Sequence, residues 1–129
     1  MDERLFELGL QKRRKVLGEE YVARSMAGAD GFNREFQRFM TEYCWGGAWG
    51  GSALDDRQRS LNNVSMLAAM GRMEEFELHF KGALRNGCTL GELRETLLQV
   101  AVYAGVPAGV SAFRSARKVL AEEGIDTSA

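Results

Sequence analysis

The sequence predicts an all-α fold, and three observations carry that prediction. One proline in 129 residues leaves long stretches free of helix breakers. Apolar residues recur at spacings of three, four and seven along most of the chain. No segment alternates apolar and polar residues with the period of a strand. At this length the simplest organisation is a single compact domain, residues 1–129, of six to seven helices.

The first helix is expected from Glu3 to Leu17, stopping near Gly18, and a short second one from Glu19 to Met26. A turn follows through Gly28-Ala29-Asp30-Gly31, with Asp30 as N-cap of the third helix. There Phe32, Phe36, Phe39, Met40 and Tyr43 share one apolar face. Cys44 to Ala53 interrupts the pattern: its glycines surround Trp45 and Trp49, a composition expected not to hold a helix. No Gly-Lys-Ser/Thr closes the stretch, which excludes a phosphate loop. Two indoles in a flexible segment fit a lid, an oligomer contact or simple anchoring of a loop on the core.

Asp55 or Asp56 caps the fourth helix, where Leu61, Val64, Leu67, Ala68 and Met70 form a narrow apolar face. Ser60, Asn62, Asn63 and Ser65 are small or polar and permit close packing. Gly71 marks a turn before the fifth helix, which ends at Arg85-Asn86-Gly87 with Gly87 as a left-handed cap. Thr89-Leu90-Gly91-Glu92 matches the reciprocal cap in which each side chain accepts the other residue's backbone N–H. The sixth helix comes next, with Leu93, Leu97, Val100, Ala101 and Ala104 on its buried face. Pro107 ends that helix and suits the first turn of the last one. That last helix carries Val110, Phe113, Val119 and Leu120 before Gly124, and Ile125 to Ala129 is expected to fray.

Seventeen Lys and Arg against 18 Asp and Glu weigh against nucleic-acid binding, which needs a concentrated basic surface. The run Lys12-Arg13-Arg14-Lys15 reads as a solvated stretch of the first helix. No window reaches the roughly 18 apolar residues of a membrane span. Met1-Asp2-Glu3-Arg4 places acids where a secretory signal has basic residues and an apolar run, so a cytoplasmic location is expected. Cys44, Cys88 and the single histidine have no metal-ligand spacing, and no metal is expected. Both cysteines read as reduced, packed thiols.

That histidine, His79, stands out on the fifth helix. Arg72, Glu75 and His79 fall within an arc of about 60° beside the apolar stripe of Met73, Phe76, Phe80, Ala83 and Leu84. A cation, an acid and an imidazole at the edge of a buried face are able to bind an acidic substrate and move a proton. The bland alternative is a partly buried histidine with two solvated neighbours.

Several segments together resemble the carboxymuconolactone decarboxylase family, within the alkyl-hydroperoxide reductase D-like superfamily. They are Phe32-Asn33-Arg34-Glu35-Phe36, Trp45-Gly46-x-x-Trp49, Arg59-Ser60-Leu61 and Met70-Gly71-Arg72 with His79 downstream. Asn86-Gly87-x-Thr89 and Leu97-Leu98-Gln99-x-x-x-Tyr103-Ala104-Gly105-x-Pro107 complete the series. The resemblance implies the all-α alkyl-hydroperoxide reductase D-like fold and a homo-oligomer, a hexamer. It implies decarboxylation of 4-carboxymuconolactone, a lactone dicarboxylate, to 3-oxoadipate enol-lactone in the protocatechuate branch of the β-ketoadipate pathway. No cofactor is implied. Redox relatives carry Cys-x-x-Cys-x-x-x-His on one helix; laid on His79, that pattern puts cysteines at Arg72 and Glu75, which disfavours a thiol mechanism. After Pro107 this chain has Val110 and Arg114 where the family commonly has asparagine and histidine, which bears on the preferred substrate.

Under the resemblance, Arg72 or Arg59 holds a substrate carboxylate. His79 donates the proton or polarises the lactone carbonyl, and Glu75 orients it or is itself the acid. Trp45 and Trp49 close a dry pocket, and Tyr103 hydrogen-bonds the enolate. Three rivals remain: a thiol-dependent peroxide-detoxification partner, a non-catalytic helical oligomer, and a decarboxylase or lactone-binding enzyme for a related aromatic-catabolism acid.

Overall fold

A computed structural model describes residues 2–128; Met1 and Ala129, the ends of the expected domain, lie outside the described residues. Among those described, the chain forms seven α-helices and one π-helical segment, with no strand. The helices are α1 (Glu3–Leu17), α2 (Glu19–Ala27), α3 (Arg34–Phe39), α4 (Asp56–Met70), α5 (Met73–Arg85), α6 (Leu90–Tyr103) and α7 (Val106–Glu122). The π-helical segment is Met40–Ala48. Two compact units result, one ending at Asp56 and one beginning at Arg57.

In the first unit, Asp2 caps α1 by accepting the Leu5 N–H at 3.1 Å. Gly18, at φ 92°, makes the turn into α2 that other residues would resist. The Asp30 carboxylate accepts from the backbone of Phe32 and Asn33 at 2.9 and 3.1 Å. It thereby closes the turn at 31–33, and α3 itself starts later than expected, at Arg34.

The largest departure from the sequence expectation lies at the tryptophans. The stretch expected to break the helix at Cys44 stays helical through Ala48, in the wider π form, and Trp49 N–H still bonds Cys44 C=O at 3.0 Å. Packing explains why poor helix formers hold a helix here. A Cβ on Gly46 would lie 2.4 Å from the Leu5 carbonyl oxygen, and one on Gly9 would lie 1.9 Å from that of Thr41. These glycines let two backbones approach where no side chain fits. Trp45 and Trp49 stack at 5.0 Å and are both buried, as anchoring of the segment on the core requires.

Two further corrections concern polarity. Arg13, expected in solvent, is only 2% exposed, and its guanidinium donates to Gln37 Oε1, Thr41 Oγ1 and Ser25 Oγ at 3.0–3.1 Å. Burial lowers its pKa, and neutral oxygens rather than a carboxylate face it. Lys12 and Lys15 are drawn onto Asp56, which they hold below the usual carboxylate range. The aromatic face of the third helix lies in the open: Phe32, Phe36, Phe39 and Tyr43 are all exposed. Cys44 is exposed rather than packed, while Cys88, in the second unit, is buried.

In the second unit α4 to α7 enclose one core of Val64, Ala68, Phe76, Phe80, Leu93, Leu97, Val119 and neighbours. Each fully buried Phe, Leu or Val there contributes about 1.5–3 kcal/mol. Thr89 and Glu92 form the expected reciprocal cap of α6. Arg57 also pairs with Glu92, and these bonds hold its pKa at about 2. Gly87, at φ 86°, closes α5 as its residue type predicts. Asn86 Nδ2 donates to Ser60 Oγ at 2.9 Å, joining the end of α5 to the start of α4. Ile125, expected to fray, instead bonds Leu120 C=O through its N–H and packs on the core.

Candidate functional site

The face of α5 that meets α4 carries the candidate chemistry. Arg72 sits just before α5, and its Nη2 donates to Glu75 Oε1 at 2.6 Å. That bond lowers the pKa of Glu75 and raises that of Arg72, so the two form a closed pair at the helix start. His79 lies one turn after Glu75. Burial pushes its imidazole down to about 4, against the opposing pull of the Glu75 charge. The ring is neutral near pH 7.

A neutral imidazole has one donor nitrogen and one acceptor, and a neighbour decides which is which. Asn63 on α4 places its amide nitrogen 3.4 Å from His79 Nδ1. With the amide as donor, Nδ1 accepts and the proton resides on Nε2. In the sequence Asn63 reads only as a small polar residue suited to close packing. The signal that singles it out is its spacing from Arg59: residues four apart share one helix face.

Arg59 lies one turn before Asn63 on α4. Its Nε is buried and meets no hydrogen-bond acceptor. A buried donor left without an acceptor is rare in proteins, and Arg13 Nε in the first unit is another. Arg72 and Arg59 are both sequence candidates for a substrate carboxylate; Arg72 Nη2 already has Glu75 as its acceptor.

The remaining sequence candidates lie elsewhere. Tyr103 is exposed and lines a cavity of about 540 Å³ with Asn62, Ser65, Thr96 and Gln99, and neither His79 nor Glu75 lines that cavity. Trp45 and Trp49 belong to the first unit, where only 3% and 5% of each is exposed. Val110 and Arg114, at the positions that depart from the family pattern, are exposed one turn apart on α7. Among the described residues no group of three or more His, Cys, Asp or Glu is placed to hold a metal ion, and no helix is long and apolar enough to cross a membrane.

Comparison with known proteins identifies the family. Over 124 residues the chain is 38% identical to 4-carboxymuconolactone decarboxylase of Acinetobacter baylyi, covering 96% of this chain and 92% of that protein. It is also 38% identical to nitrosuccinic acid decarboxylase of Metarhizium robertsii, over 91% of this chain and 82% of that one. An uncharacterized 15.0 kDa protein of Paracoccus denitrificans is 31% identical over 65% of this chain and 64% of its own length. Residues 34–118, which take in α4 and α5, match the carboxymuconolactone decarboxylase family. The chain belongs to the carboxymuconolactone decarboxylase family.

Proposed function

We propose that this chain decarboxylates 4-carboxymuconolactone to 3-oxoadipate enol-lactone without a cofactor. In this reading it serves the protocatechuate branch of the β-ketoadipate pathway, in the cytoplasm, as a homo-oligomer, a hexamer, with residues 1–129 acting as one domain. The observation that carries the reading is the 38% identity, over 96% of the chain, with a protein bearing that activity in its name. The exposed aromatic face of Phe32, Phe36, Phe39 and Tyr43 supports self-association.

The chemistry needs positioned polar groups more than it needs a cofactor. As the bond to the departing carboxylate breaks, its electron pair moves into the lactone ring and the ring double bond shifts. Negative charge collects on the lactone carbonyl oxygen, and protonation of the α-carbon completes the enol-lactone. Arg59 takes the retained carboxylate on its unspent Nε–H. His79, uncharged and carrying its proton on Nε2, polarises the lactone oxygen as charge develops there. The charge of the bound substrate raises the proton affinity of the same ring, which takes up a proton from solvent, passes it to the α-carbon and returns to its neutral form. Glu75, ionised by its pairing with Arg72, acts through its charge on His79 and not as the acid.

A second reading rests on the equal identity with nitrosuccinic acid decarboxylase: the substrate is another dicarboxylic acid that loses CO2 beside an electron-accepting group. Purified protein offered 4-carboxymuconolactone and nitrosuccinate side by side decides between them. The expected result is loss of lactone absorbance with matching CO2 release, reduced about a hundredfold or more in His79→Ala. Turnover of nitrosuccinate alone establishes the second reading, and turnover of neither acid by folded protein removes both. Full activity in folded His79→Ala removes this histidine from the mechanism.

A further inference from the structure

A second cavity of the same unit lies under α6 and α7, with Phe80, Leu93, Leu97, Phe113 and Leu120 among its walls and a volume of about 200 Å³. Its walls are apolar except at the mouth, where Arg94 of α6, Arg117 of α7 and Thr127 of the C-terminal segment stand. Arg94 and Arg117 are both exposed, and no salt bridge among the described residues holds either of them. Asp126, beside Thr127, accepts from Ser128 N–H and Oγ at 2.9 and 2.7 Å. None of Arg59, Asn63, Arg72, Glu75 or His79 lines this space.

An apolar chamber with two uncommitted guanidinium groups at its entrance has the chemistry of a site for an amphipathic anion. Size narrows the class further. A cavity of about 150 Å³ lined by leucine, isoleucine and phenylalanine takes up benzene and excludes water. The chamber here is slightly larger and has donors only at one end. We propose that it binds a monocarboxylate whose apolar body is no larger than one substituted ring, with the ring against Phe80, Leu97 and Phe113 and the carboxylate between Arg94 and Arg117. Guanidinium forks recognise a carboxylate in two parallel hydrogen bonds, whereas the buried walls offer that group nothing. Occupancy here is independent of the decarboxylation proposed for the α4–α5 face.

Benzoate is the probe, with benzyl alcohol as its uncharged counterpart. Each is titrated into the intact protein while methyl and aromatic resonances are followed by NMR. Saturable shifts are expected at Leu93, Leu97, Phe80 and Phe113, with benzyl alcohol bound about tenfold more weakly. The double variant Arg94→Gln/Arg117→Gln, altered only at exposed positions, is expected to lose the preference for benzoate while keeping weak binding of the alcohol. Equal affinity for both probes in the wild type, an unchanged preference in the double variant, shifts confined to residues around His79, or no saturable shift at all would each overturn the assignment.

Discussion

The amide nitrogen of Asn63 lies 3.4 Å from Nδ1 of His79, a contact in which the amide donates and the ring nitrogen accepts. Asn63→Asp replaces a donor by an anion at that point. The imidazole pKa, now about 4, is expected to rise by about two units as the carboxylate stabilises the charged ring. His79 is the only histidine, so its ring protons give one titration curve by NMR. Turnover near pH 7 is expected to fall about tenfold, because the proton is drawn to Nδ1. An unshifted titration would show that Asn63 does not govern the ring.

The same depressed pKa makes stability depend on pH in a defined window. An unfolded chain protonates histidine near 6.5, whereas the folded chain resists protonation until about 4. Between those values the unfolded state binds the extra proton, so acid favours unfolding there. The contribution is intact above pH 6.5 and is lost as pH falls toward 4, by about 3 kcal/mol in all. Urea titrations at several pH values are expected to show this slope in the wild type and not in His79→Gln. Carboxylates such as Glu75 and Glu92, whose pKa values are depressed, lose their contributions below about 4.5, in a separate and more acid window.

Arg59 is expected to separate stability from activity. Its buried Nε has no acceptor, so Arg59→Leu removes an uncompensated donor and fills the space with apolar atoms. Thermal unfolding is expected to be unchanged or to shift upward by about 1 kcal/mol. Decarboxylation is expected to fall about a hundredfold in kcat/KM, chiefly through KM, if Arg59 grips the substrate carboxylate. Equal losses of stability and activity would mark it as a structural residue instead.

The elements legible in the sequence are those fixed by local rules. The cap at Thr89, the left-handed stop at Gly87 and the proline at the start of α7 each depend on a few adjacent residues, and each stands where expected. Local rules mislead where a distant segment decides. Gly46 reads as a helix breaker because its role is to admit Leu5, 41 positions earlier, and no window of neighbours contains that information. Arg13 looks solvent-facing because its acceptors, Ser25, Gln37 and Thr41, come from three other segments. At the candidate site Arg72, Glu75 and His79 are visible from their period, whereas the spacing of Asn63 from Arg59 gains its meaning from the contact of Asn63 with His79.

The close approach at Gly9 and Gly46 is expected to be intolerant of even one carbon. Gly9→Ala or Gly46→Ala puts Cβ within 2.4 Å of a backbone oxygen, which no side-chain rotation relieves. Loss of more than about 3 kcal/mol is expected for either, enough to unfold the first unit. Gly31→Ala serves as the control, since nothing lies within 4 Å of its added carbon, and its Tm is expected to stay within a few degrees of wild type. Circular dichroism melts of the three variants test the contrast.

Self-association is expected to run through the exposed rings of the third helix. Phe36→Glu together with Phe39→Glu adds two like charges to a face that is already open to solvent. Folding of the protomer is expected to survive, and light scattering is expected to report a smaller assembly than the wild type. An unchanged mass would place the contact on another face.

The π-helical turn between Met40 and Ala48 has a consequence for how this chain tolerates insertions and deletions. Each helical residue turns the next one by about 100° around the axis. Deleting one residue between Trp45 and Trp49 would leave the two rings three positions apart in place of four and rotate Trp49 away from its stacking partner. The residue count of the segment is therefore under a constraint separate from that on its composition. A relative one residue shorter at this point needs a compensating insertion before Trp49, or a different partner for that ring.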